Sequence, residues 1–136
     1  LHLARDETLP DKYTSVPATS GWHYSDLGAP APWGVHDESL PDPVLVHNLE
    51  HAGVGVHYNC PEGCDDLVVQ LKDLVLRLQQ QVSNKIIMTP YSGMSSKIAL
   101  TAWTYIDSFD QFDVKRIEDF VVAHVNSHVA PEPLAP

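Results

Sequence analysis

The stretch Val54-Gly55-Val56-His57-Tyr58-Asn59-Cys60-Pro61-Glu62-Gly63-Cys64-Asp65-Asp66 decides the fold class. Its first six residues alternate with period two and predict a strand. Val54, Val56 and Tyr58 share one face; Gly55, His57 and Asn59 share the other. Cys60–Cys64 then forms a turn. Asp65 and Asp66 open a helix, where acidic side chains complement the positive N-terminal end. Leu67, Val68, Leu71, Leu74, Val75, Leu78 and Val82 follow at helical spacing. A half-buried strand, a tight turn and an amphipathic helix in succession predict helices packed against a sheet.

Downstream, Lys85–Pro90 reads as a short strand, Tyr91–Ser96 as a glycine-containing loop, and Ile98–Ile106 as a further strand rich in β-branched and aromatic residues. Asp113 caps a last helix whose apolar face is Val114, Ile117, Phe120, Val121 and Val125. Upstream, Asp42-Pro43 reads as a helix start, with Asp capping and Pro in the first helical position. Gly53 can stop that helix in the left-handed conformation. A helix over Pro43–Ala52 results, with a strand over Val44–Leu49 as its rival. The order loop–α–β–α–β–β–α predicts a small single-domain α+β fold. Its later part is compatible with a reduced thioredoxin-like core.

Residues 1–43 hold six of the eleven prolines, together with Tyr13, Trp22, Tyr24 and Trp33. So many aromatics predict an ordered arm that wraps the core rather than a disordered tail. The expected organisation is a flexible segment over 1–12, one domain over 13–130 and a tail over 131–136.

The 136 residues carry 8 basic and 18 acidic side chains, a formal charge of −10. No Lys/Arg cluster exists to hold nucleic acid or an anionic membrane. No apolar run approaches the roughly 18 residues of a membrane span. The chain begins at Leu1, which suggests that a leader or anchor has been removed. Ser20 and Ser92 lack a nucleophile elbow, and no glycine-rich phosphate loop occurs. Asp107, Asp110 and Asp113 do not follow the EF-hand spacing and read as a solvated loop ending in a helix cap.

The densest polar chemistry is His47-Asn48-Leu49-Glu50-His51. A spacing of four puts both imidazoles on one face of a helix or of a strand. Paired imidazoles suit zinc, copper, nickel or iron. His23 on the arm and Met94 in the late loop extend the set, and a thioether beside imidazoles points to copper. Glu50 reads as a carboxylate orienting a ligating imidazole. His57 lies nearby, whereas Met88 reads as core. His2, His36, His124 and His128 receive no role. The same stretch matches H-x-x-E-H of zinc hydrolases, but a helix ending at Gly53 is short for that chemistry. Cys60 and Cys64 read as a local structural disulfide, with a thiol/disulfide redox module as the alternative.

Thr19–Tyr24 (T-S-G-x-H-Y), Pro30–Val35, His47–Gly53 (H-x-L-E-H-x-G), Pro90–Met94 and Ile98–Trp103 together carry a resemblance. The chain resembles a bacterial family of domains of unknown function, often found behind a signal or membrane anchor. The resemblance covers roughly residues 13–132 and departs at Ala52, where the pattern has Gly. It implies a secreted or membrane-tethered domain and places His23, His47, His51 and Met94 within its motifs. The joint expectation is an extracytoplasmic metal-binding domain for which the sequence indicates no turnover reaction, with the thiol/disulfide module or a metal-free interaction domain as the alternatives. Copper is the expected ion and zinc the alternative, with a protein partner for metal transfer.

Overall fold

Val54–Tyr58 forms the central strand of a five-stranded mixed sheet. The computed structural model describes residues 2–3, 13–21, 23–24 and 31–136. Its elements are β1 (His2–Leu3), β2 (His23–Tyr24), β3 (Gly34–Val35), α1 (Asp42–Glu50), β4 (Val54–Tyr58), α2 (Asp65–Gln81), β5 (Ile86–Pro90), β6 (Ile98–Ala102), β7 (Tyr105–Phe109) and α3 (Val114–His124). The main sheet runs β3-β5-β4-β6-β7, and β1 pairs with β2 separately. The fold is α+β, as expected. β4 and β5 are parallel across the α2 crossover, and β6 and β7 continue antiparallel.

Strand alternation separates two cores. Val54, Val56, Ile86, Met88, Ile98 and Leu100 face α2 and α3, where they meet Leu71, Leu74, Val75, Ile117, Phe120 and Val121. Ile87 points the other way, into Ala31, Val44 and Leu45. That second layer is α1 and the arm. Every residue of α1 from Pro43 to Glu50 is buried, so this helix lacks the solvent face of α2. The structure resolves the helix-or-strand ambiguity over Val44–Leu49 as helix.

Several local expectations change. Asp42 is the first residue of α1 rather than its cap; the preceding residue is Pro41, which has no side chain able to cap. Asp42 instead accepts a hydrogen bond from the Tyr91 hydroxyl, at 2.9 Å. After α1 the left-handed residue is Ala52 (φ 65°), and Gly53 serves a different end. A Cβ on Gly53 would run into the Trp33 ring. The expected strand Ile98–Ile106 is two strands joined at Trp103-Thr104, with Ala102 opposite Tyr105. Two-residue hairpins favour positive φ, here adopted by Thr104 (φ 66°) without the usual Asn or Gly. Asp107 therefore lies on β7, where Arg116 grips it. Asp113 caps α3 as expected, accepting from the Arg116 amide at 3.1 Å.

Residues 131–136 dock on the domain. The Glu132 amide donates to the Glu50 carbonyl at 2.9 Å, and Lys85 Nζ donates to the Pro133 carbonyl at 3.2 Å. Most of the segment 1–12 lies outside the described residues, but His2 and Leu3 pair in parallel with His23 and Tyr24.

Candidate metal centre

The C-terminal turn of α1 carries the centre. His47 and His51 stack one turn apart, with ring centroids 4.8 Å apart in edge-to-face contact. β2 lies against α1 and brings His23 to His47, at 5.5 Å between centroids. Asn48 on α1 holds the arm for this purpose. It accepts from the Ala31 amide at 2.8 Å and donates to the Ala31 carbonyl at 3.0 Å.

His23 is fully buried. Its Nδ1 lies 2.8 Å from the Gly21 carbonyl. A carbonyl only accepts, so Nδ1 carries the proton and donates. Nε2 is thereby turned to Glu50 Oε2, 2.6 Å away but outside hydrogen-bond alignment. His23 Nε2 and Glu50 Oε1 are buried and have no hydrogen-bond partner among the described residues. Such orphaned atoms in a native fold need an explanation.

His51 repeats the pattern. Nδ1 donates to the Pro136 carbonyl at 3.0 Å, and Nε2 faces Glu132 Oε2 at 3.2 Å. Metal-ligating histidines characteristically give their other N–H to a carbonyl or carboxylate in this way. Burial lowers the His23 pKa, against the opposing pull of the Gly21 carbonyl and Glu50. Glu50 is held below the usual carboxylate range. Burial raises it, but the hydrogen bond with Glu132 and the field of His23, His2 and His47 prevail. Glu132 is raised, first by that same hydrogen bond.

The structure thus brings together His23, His47, His51 and Glu50. It does not bring Met94 to them. The Met94 carbonyl accepts from Asn59 Nδ2 at 2.7 Å, just past the Tyr58 end of β4. The imidazoles lie at the Gly53 end, and five residues at about 3.3 Å each separate the two ends. His57 is also elsewhere. Its nitrogens meet Thr89 Oγ1 at 2.7 Å and Thr101 Oγ1 at 3.2 Å, and burial lowers its pKa to about 4. Met88 is in the core, as expected.

Two residues given no place in the centre join it. His2 stands edge-on to His23 at 4.7 Å, with Nε2 3.7 Å from Glu50 Oε1. Glu132 arrives on the docked tail. Neither lies near His47–His51 in sequence, so local spacing carried no signal for them. Cys60 and Cys64 form a disulfide at the start of α2.

Residues 3–136 match the family described as Protein of unknown function (DUF3105). The chain belongs to this family. The match agrees with the resemblance carried by the histidine and tryptophan motifs. No curated protein and no solved structure matches the chain. Membership in DUF3105 supplies no activity, so the chemistry rests on the side chains themselves. Among the described residues no helix is long and apolar enough to cross a membrane.

Proposed function

We propose that this domain is an extracytoplasmic transition-metal-binding protein whose ion sits among His23, His47 and His51 around Glu50. One observation carries the reading. His23 Nε2 is held 2.6 Å from the Glu50 carboxyl oxygen Oε2, in a buried place without an aligned hydrogen bond. Two acceptors at that distance repel unless a cation lies between or beside them. A metal ion with about 2.1 Å bonds spaces neighbouring tetrahedral donors roughly 3.4 Å apart, so the pair needs to open by less than about 1 Å.

Imidazole and carboxylate donors favour copper(II), which heads the divalent affinity order, with zinc the alternative. With Met94 remote, the cuprous alternative loses its thioether. The bound ion would supply Lewis acidity or a redox couple. This chain's residues would hold it, with Glu50 compensating charge and the Gly21 carbonyl fixing the His23 tautomer. The Cys60–Cys64 disulfide supports an oxidising compartment, because such bonds are rare in the cytosol. A role in handing the metal to a protein partner accords with a site near the surface tail.

Elemental analysis followed by copper and zinc titration tests the proposal. Wild type should take up metal and His47→Ala/His51→Ala should take up less; equal uptake by the two would refute the site. A second reading rests on the position of the disulfide between β4 and α2, where a helix N-terminus can activate a thiol. A reduction potential below about −300 mV would mark the bridge as structural and dismiss a redox module.

A further inference from the structure

We infer that the centre holds two metal ions bridged by Glu50, a step that rests on the metal-binding reading above. The donors divide into two sets, His2/His23/Glu50 and His47/Glu50/His51/Glu132, each with its ligand atoms within 4.8 Å of one another. Glu50 is the member common to both. Both of its oxygens meet the first set, Oε2 at 2.6 Å from His23 Nε2 and Oε1 at 3.7 Å from His2 Nε2, and Glu50 is hydrogen-bonded to Glu132 of the second.

Each set contains the same motif, an imidazole whose Nδ1 is tied to a main-chain carbonyl and whose Nε2 meets a carboxylate. In one set this is Gly21–His23–Glu50; in the other it is Pro136–His51–Glu132. Paired metal sites lie about 3.5–4 Å apart and commonly share a carboxylate. The His23 and His47 rings, one from each set, lie 5.5 Å apart at their centroids. His47 and Glu132 complete the second shell on the α1 side, and His2 completes the first on the β1 side.

The orphaned Glu50 Oε1 is the independent mark of the bridge. A single ion on Oε2 would leave that atom buried and unmatched. A second ion beside His2 uses it.

The test is copper(II) titration of the whole chain, read by native mass spectrometry and electron paramagnetic resonance. The expected result is two ions per chain. Their spins should be coupled, shown by a half-field signal and lost integrated intensity at two equivalents. His2→Ala and, separately, His51→Ala/Glu132→Gln should each keep one ion with a normal uncoupled spectrum. One ion per chain in wild type overturns the bridge but leaves the single-ion reading standing. No bound ion overturns both. Two ions without coupling also overturn the bridge, because they would sit on separate sites. The decisive measurements are made on wild type, so a variant that fails to fold does not protect the proposal.

Discussion

Asn48 pairs with both main-chain groups of Ala31, side-chain amide to peptide, inside the domain. This amide, set within the histidine-rich turn, ties the arm to α1 and so holds β2 and His23 over Glu50. Leaving buried peptide groups unpaired costs about 1–3 kcal/mol each. Asn48→Ala should therefore lose on the order of 3 kcal/mol in urea denaturation, and metal affinity should fall with it. A stability change below about 1 kcal/mol would contradict this role.

Gly53 owes its place to Trp33. The aromatic ring occupies the space a Cβ would take, and the Asn48 carbonyl stands 3.0 Å from that position. Gly53→Ala should destabilise by about 1–3 kcal/mol through overpacking. Gly53→Ala combined with Trp33→Leu should recover part of that loss; a purely additive double variant would show that the two positions do not meet.

His57 makes stability depend on acid. Its folded pKa of about 4 lies below the ordinary 6.5, so the unfolded chain binds the proton first. The contribution is complete above pH 6.5 and is lost as pH falls toward 4, in total about 3 kcal/mol. Denaturation between pH 4 and 7 should show this slope, and His57→Gln should flatten it. An unchanged slope in the variant would assign the acid sensitivity to other groups.

Cys60, Cys64 and Met94 lie at the end of β4 away from the imidazoles. Cys60→Ala/Cys64→Ala should lose about 2 kcal/mol, the loop-closure value for so short a loop. Metal stoichiometry should not change in that variant or in Met94→Leu. Loss of an ion in either would return sulfur to the ligand set.

Much of this was legible in the sequence because local physics governs it. α2, α3 and the period-two strand follow from side-chain spacing, and the His47/His51 pair needed only the i,i+4 rule. Other features depend on partners distant in sequence. Asp42 looks like a cap until Tyr91 claims its carboxylate. The β6–β7 turn is hidden because Thr104 adopts a conformation its residue type disfavours, within a run of strand-forming residues. Met94 has the right chemistry for copper, and only the length of β4 takes it away. His2 and Glu132 became visible only when two short pairings, β1 with β2 and the Glu132 amide with the Glu50 carbonyl, placed them.

Those pairings also set the order of events in folding. His2, the α1 turn and Glu132 stand far apart along the chain, and contacts of long sequence separation close late because their loops cost entropy first. Local helices and the β4–α2–β5 unit can form without any metal. On the proposed reading an ion would be admitted only by a nearly finished domain, so loading would report that synthesis and collapse are complete. A half-folded chain would then hold copper poorly, which would keep a reactive ion off intermediates and reserve binding for the mature domain.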